Sequence, residues 1–320
     1  MSDLNTLYNT FNEKIKLTSS KTDSLKRGRD AIRDKIRSDF SDKGRRKPKF
    51  RMQGSFAMKT TVNPVGENEY DLDDGVYLQG YSAFDKDEWP DTDEVHNWVV
   101  QAVDGHTKSD PEDKTSCIRV CYEAGYHIDL PIYIVKDECC FLADKKRGWT
   151  ESDPKAFKEW FIGYVTDCPL THGEQLRRVV RYLKAWRDFC NVDIASITLT
   201  ILATQHFSSY SGRDDKAVSQ TVNKIYNALS SNFSCPKPVF PFEELLGDYS
   251  VSKQEKILKA FKEYANKTQD AVDEVNEKTA SEILRELYGS RFPLGKDTST
   301  SADYAVTSRP GVIGNDGRSA

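Results

Sequence analysis

Asp71 and Asp73 stand two residues apart in the run Glu69-Tyr-Asp-Leu-Asp-Asp-Gly-Val-Tyr-Leu78, whose composition is that of a strand. Side chains alternate between the faces of a strand, so both carboxylates project the same way. Such a pair suits a divalent cation of the Mg2+ type, which takes oxygen ligands and shares them with water and phosphate. It is half of a site, lacking a third acid and a phosphate cradle. Gly54-Ser55, closing the strand that leads in through Phe50-Arg-Met-Gln, fits the cradle. Glycine lets backbone amides approach a phosphate closely, and the serine hydroxyl adds a hydrogen bond to it or to a metal-bound water. Gly-Ser is also a common turn, and the acidic strand downstream gives the pair its weight. Asp74 sits beside the motif but points to the opposite face of the strand.

The third acid is Asp129, alone in the apolar run Tyr126-His-Ile-Asp-Leu-Pro-Ile-Tyr-Ile-Val135. An ionised carboxylate buried without a partner costs several kcal/mol, on the order of the desolvation of one charge, so something positive must meet it. One reading is a salt bridge to Arg119 on the preceding strand; the other is a metal shared with Asp71 and Asp73, which the upstream acids favour. His127 reads as a packing or hydrogen-bonding side chain, since no soft ligand accompanies it.

These residues need elements to hold them. Leu4, Leu7, Tyr8, Phe11 and Ile15 recur at helical steps, and a second, long surface helix runs from caps among Ser19, Ser20 and Thr22 through Leu25, Ile32, Ile36 and Phe40. Pro48 ends the basic stretch 43–49, which reads as a solvated loop. Strands over 50–55, 70–78, 117–121 and 125–135 carry the acids, with a helix between them on Val95, Trp98, Val99 and Val103. From about Ser152 the pattern becomes helical. Arg177, Arg181 and Lys184 flank the apolar stripe of one such helix, a flank that can line a cleft where phosphates need cations. A buried helix starts near Ser196, and helical stretches cover 214–230 and 252–288. Residues 296–320 read as a flexible tail.

The 320-residue chain has 38% hydrophobic and 30% charged residues and a net charge of -4. That is the composition of a globular protein with room for two lobes and no global attraction to a polyanion. No extended nucleic-acid partner is expected. The seven cysteines are odd in number and irregularly spaced, which reads as reduced thiols rather than a disulfide framework or a zinc site. No apolar run reaches the roughly 18 residues of a membrane span, so no membrane partner and a cytoplasmic location are expected.

Gly54-Ser55, Asp71-x-Asp73 and Asp129, in that order, resemble the polymerase-beta-like nucleotidyltransferase superfamily. The longer stretches QGSFAMKT, EYDLDDGVYL, HIDLPIYIV, VVRYLKAW and ASITLTIL are similar to the bacterial CD-NTases, relatives of animal cyclic GMP-AMP synthase that make signal nucleotides in antiphage defence. The resemblance runs from the first helix to Leu287. It implies an α+β, two-lobed enzyme: a nucleotidyltransferase core over 1–150 with a mixed sheet and both N-terminal helices, then a helical lobe over 151–295 closing the nucleotide cleft. It places the metal-binding acids at Asp71, Asp73 and Asp129, the phosphate-contacting serine at Ser55 beside Gly54, and nucleotide-approaching positions at Gln53, Arg119, Lys184 and Ser196. Two Mg2+ or Mn2+ ions and nucleoside triphosphates follow as cofactor and substrates, with Asp129 as acceptor of the hydroxyl proton and a cyclic di- or trinucleotide as product. Two alternatives remain: a nucleotidyltransferase adding to RNA ends or making linear 2′-5′ oligonucleotides, and a non-catalytic nucleotide-binding protein on the same fold. In some systems of this kind the synthase's last residue is conjugated to other molecules, which would make Ala320 a partner site.

Overall fold

The computed structural model describes residues 3–66, 69–168 and 172–298. The expected tail lies outside these except for 296–298, and so does Ala320. Lys296 and Thr298 are hydrogen-bonded to Glu277, and Asp297 to Asn276.

Two cores organise the chain. The first surrounds a mixed sheet built on β2 (Tyr70–Tyr77), which runs antiparallel to β1 (Lys49–Gln53) on one edge. On its other edge β2 runs parallel to β5 (Tyr126–Leu130) and then to β6 (Ile132–Lys136). The stretch 125–135, expected as one strand, is divided at Pro131, which has no amide hydrogen to give to a ladder. Its two halves keep one register along β2, Tyr70 facing Tyr126 and Val76 facing Ile132. Beyond them, β4 (Ile118–Tyr122) pairs with β5 and carries the short β3 (Glu112–Asp113), while β7 (Cys139–Asp144) pairs with β6 and carries β8 (Gly148–Glu151). The hairpin β7–β8 had no counterpart in the sequence reading.

One face of this sheet is dry. Leu72, Val76, Ile128 and Leu130 meet Leu25, Ile32, Ile36 and Phe40 of α2 (Ser19–Asp42) and Val95, Trp98 and Val99 of α4 (Thr92–Val103). Each such side chain, fully buried, contributes about 1.5–3 kcal/mol. The cap of α2 is Thr18, one residue before the expected candidates; its hydroxyl accepts from the Lys21 amide at 3.3 Å. The basic loop after α2 is largely exposed, but Arg45 lies 4.3 Å over the Trp98 ring and so adds a cation–π contact.

The second core is helical: α5 (Pro154–Asp167), α6 (His172–Cys190), α7 (Ser196–Gln205), α8 (Asp214–Ser231), α9 (Val251–Asp273) and α10 (Glu277–Tyr288). The expected stretch 252–288 is thus two helices, the second started by Asn276, whose side chain accepts from the Lys278 and Thr279 amides. The first helix, α1 (Asn5–Ile15), was expected with the sheet but packs here. Its Tyr8 and Phe11 rings lie against Tyr182, Tyr288 and Phe292, and Leu4, Leu7 and Ile15 join the same core. All seven cysteines are free thiols. No helix among the described residues is long and apolar enough to cross a membrane.

Asp74 points into the dry face, as its parity requires. It is fully buried and accepts both Nε and Nη2 of Arg33 on α2, at 2.6 and 2.5 Å. Removing one partner of such a pair leaves an uncompensated buried charge. Arg33→Met should therefore destabilise the fold by about 3–5 kcal/mol in urea titration, and adding Asp74→Leu should recover most of the loss. A loss under about 1 kcal/mol for Arg33→Met alone would show that the pair does not hold α2 to the sheet.

Candidate active site

The opposite face of the sheet carries the acids. Asp71 and Asp73 project from it together, and the parallel register sets Asp73 directly beside Asp129 and Asp71 beside His127. The third acid, some fifty residues away in sequence, therefore arrives at the same end of the same face. On the other edge of β2, Gln53 pairs with Asp73, and the chain turns at once into α3, a single turn over Gly54–Met58. Gly54 has φ +62°, and a Cβ there would lie 1.9 Å from Oδ2 of Asp73. Both facts demand glycine. The Gly-Ser pair is thus pressed against the central carboxylate, and Ser55 follows with its hydroxyl 2.9 Å from that of Thr61. The Gln53 amide nitrogen donates to the Tyr133 hydroxyl at 3.0 Å, while its oxygen is buried and has no hydrogen-bond partner among the described residues.

Across from these lies the helical lobe, and between the two is a cleft of about 410 Å³. It is walled by Gln53, Gly54, Ser55, Asp71 and Asp73 on one side and by Lys184, Arg187, Ser196 and Thr200 on the other. The expected cationic flank of α6 divides its labour. Arg177 donates to the Met58 carbonyl at 3.2 Å and Arg181 to the Lys59 carbonyl at 2.6 Å. They satisfy the open carbonyl end of α3 rather than lining the cleft. Only Lys184 of the three reaches the cleft, bonded at 3.3 Å to the Thr60 carbonyl. α7 opens on the same space through Ser196, Ile197 and Thr200, and no side chain caps its first turn. Free amides at a helix start favour anions.

Arg119 does not stand in the cleft wall. It faces Asp129 across the β4–β5 ladder and donates Nε and Nη2 to both carboxylate oxygens, at 2.8 and 2.9 Å. The salt-bridge reading of Asp129 is therefore realised. Each carboxylate oxygen has two acceptor sites, so the fork leaves capacity on Asp129 for a further partner. His127 behaves as a hydrogen-bonding residue, its Nδ1 2.8 Å from Glu69. Sequence reasoning missed Arg187, whose guanidinium donates to Ser196 Oγ at 2.5 Å and to Asp188. Its signal was available: it lies one helical turn beyond Lys184. It also missed Tyr133, Thr61 and Lys237, for which no local pattern exists.

Among the described residues, no three His, Cys, Asp or Glu groups are already gathered as a ligand set. What fits a divalent cation here is the charge balance. Burial, then Asp71, then Asp129, push the Asp73 carboxyl up to about 8, with Lys184 and Arg119 opposing. Burial likewise pulls the Lys184 ammonium down to about 8 despite the pull of Asp71. Crowded carboxylates that resist ionising together are what a hard cation relieves.

Residues 48–133 match the family described as cyclic GMP-AMP synthase DncV-like, nucleotidyltransferase domain. The chain is 32% identical over 197 residues to a cyclic GMP-AMP synthase of Escherichia albertii, covering 57% of this chain and 41% of that protein. It is 29% identical over 237 residues to a c-di-GMP synthase of Roseivirga ehrenbergii, covering 63% and 61%. The matches thus span about two fifths to three fifths of these curated relatives. In fold it is similar to Vibrio cholerae DncV in complex with nonhydrolyzable GTP, with TM-score 0.76 and 19% identity over 92% of this chain and 99% of that one. It is likewise similar to the Bradyrhizobium diazoefficiens CD-NTase CdnG in complex with GTP, with TM-score 0.72 and 17% identity over 89% and 95%.

The raised carboxyl gives a pH test. In the metal-free chain Asp73 keeps its proton up to about pH 8, whereas an unfolded Asp loses it near 3.9. Its contribution to stability is complete below the unfolded value and is lost as pH rises through about 8. A cation must displace that proton, so the rise in melting temperature caused by Mn2+ should grow from about pH 6 to about pH 8.5. Asp73→Asn should remove the growth, and a shift independent of pH would overturn the assignment.

Proposed function

We propose that this chain, a relative of the bacterial CD-NTases in its nucleotidyltransferase segment and its fold, joins nucleoside triphosphates into a cyclic di- or trinucleotide and releases pyrophosphate. The observation that carries the reading is the register of Asp73 beside Asp129, with Gly54-Ser55 pressed against Asp73 and Lys184 facing them across one cleft. A role in antiphage signalling follows from the resemblance alone.

Asp71 and Asp73 would hold the divalent cations, with Asp129 beside them. Such cations lower the pKa of an attacking hydroxyl and stabilise both oxygens of an in-line displacement at the α-phosphate. The chain's own residues supply positioning and charge. Ser55 and the amides of the Gly54 turn meet the phosphates from the sheet side. From the helical side, Lys184 is oriented by Thr60, and Ser196 is oriented by Arg187. Asp129 remains the acceptor for the hydroxyl proton, and Arg119 fixes its orientation. No protein nucleophile is needed. Repeating the transfer in the same cleft, after the linear intermediate turns round, closes the ring.

Incubation with all four nucleoside triphosphates and Mg2+ or Mn2+, followed by phosphatase and mass spectrometry, should yield a phosphatase-resistant cyclic product. The Asp71→Ala, Asp73→Ala double variant should lower its formation by more than about a hundredfold, beyond what changes outside a ligand shell produce. Recovery of unreacted nucleosides only, or product still made by the double variant, would refute the reading. A linear product would favour the oligonucleotide-forming alternative.

A further inference from the structure

Among the described residues three cations line the cleft, and two of them are committed to neighbours. Lys184 is bonded to Thr60, and Arg187 to Asp188 and Ser196. The third, Lys237, makes no hydrogen bond or ion pair through its ammonium group among the described residues. It does not hang on a loose loop. Its amide donates to the Glu243 carbonyl at 2.8 Å, and Leu245 donates back to Cys235 at 3.1 Å. The Glu244 carboxylate ties the amides of Cys235 and Leu246 and the Ser234 hydroxyl. Pro236 and Pro238 flank it and restrict the backbone further. A partly buried, rigidly presented ammonium without a partner is an incomplete interaction.

Its place separates it from the phosphate-binding end. Its charged neighbours are Glu243 and Asp153, not Asp71 or Asp73. Ser152 lines the cleft with it, together with Pro154 and Phe157 of α5 and Ile197 of α7. A triphosphate bound at the acids would leave its base to the rest of the cleft, whose lining includes Ser152 and Lys237 and the apolar side chains of Pro154, Phe157 and Ile197. Burial pulls the Lys237 ammonium below its usual range, a direction that an acceptor on a ligand would reverse.

We propose that Lys237 reads the major-groove edge of the base of a bound nucleotide and selects one with a carbonyl oxygen there, O6 of guanine or O4 of uracil, over adenine or cytosine, which carry an amino group there. An ammonium has three donors and no acceptor, and guanine presents O6 and N7 as acceptors and uracil O4. Adenine and cytosine present an amino donor at the equivalent position, which cannot accept from the ammonium, so cytosine offers no acceptor on that edge and adenine only N7, against the O6 and N7 of guanine. The inference rests on the nucleotide-binding reading of the cleft, and binding tests it independently of turnover.

The probes are the four α,β-methylene nucleoside triphosphate analogues with Mg2+, titrated calorimetrically into the full chain. Guanine and uracil analogues should bind at least about tenfold more tightly than adenine and cytosine analogues, the lower end for a hydrogen bond to a charged group. Lys237→Met should remove that preference while leaving the adenine analogue within about twofold. Lys237→Arg, which keeps only donors, should retain it. Uniform weakening of all four analogues by Lys237→Met would make the residue a phosphate contact and overturn the proposal, as would an undiminished preference. Binding of all four without preference in the unmodified chain would overturn the proposal alone, and binding of none would overturn the cleft assignment with it.

Discussion

The grip of α6 on the carbonyl end of α3 holds the two lobes in register. A one-turn helix leaves its last carbonyls unsatisfied, and here Arg177, Arg181 and Lys184 take Met58, Lys59 and Thr60 in turn. Lys59 is itself in the left-handed region, φ 59°, which turns the chain toward Val62 and the cleft. Arg181 also donates to Asn12 of α1 at 2.9 Å, tying the N-terminal helix to the same junction. The segment that presents Ser55 is thereby fixed from both sides, by Asp73 beneath Gly54 and by a row of buried cations beyond it. Lys184, whose carbonyl partner is neutral, keeps donors for an anion in the cleft.

That junction also explains the electrostatics. Asp73 stands half-buried in the cleft wall beside Asp71 and Asp129, and Lys184 and Arg119 offset them, one from each lobe. Arg119 is committed to Asp129 through Nε and Nη2. With Asp73 protonated the two remaining carboxylates are matched by the two cations, and ionising Asp73 adds a negative charge that a bound cation would offset. The other wall of the cleft carries Lys184, Arg187 and the start of α7, where the proposed function would seat the phosphates. On the proposed function the site is divided by lobe, with the carboxylates on the sheet and the cations Lys184 and Arg187 on the helices.

Legibility in the sequence followed the range of the interactions. The i, i+2 acids, the Gly-Ser turn and the lone buried acid were readable because strand parity and the cost of an unpaired charge are local rules. The start of α7 at Ser196 and the burial of α4 were readable for the same reason. Arg177 and Arg181 were misplaced because nothing in their helix reveals that a distant helix end needs donors. The packing of α1 on the helical lobe was hidden because an amphipathic stripe says how much is buried, not against what. Lys237 left no mark at all, since its position depends on a loop whose shape is set by Glu244 and the Pro236–Glu244 bridge.

The most demanding piece of the sequence is Asp71-Leu-Asp-Asp74, where three acids in four residues must be sorted between two faces. A slip of β2 by one residue would exchange the faces, putting Asp74 in the cleft and Asp71, Asp73 under α2. Two features on opposite faces forbid it. Arg33 donates to both oxygens of the fully buried Asp74 carboxylate, and Leu72 and Val76 fill the dry core on either side of it. On the cleft face, the missing Cβ of Gly54 leaves the room that the Asp73 carboxylate occupies. The ion pair behind the sheet therefore acts on the site in front of it: by fixing parity, Arg33 decides which acids meet Asp129.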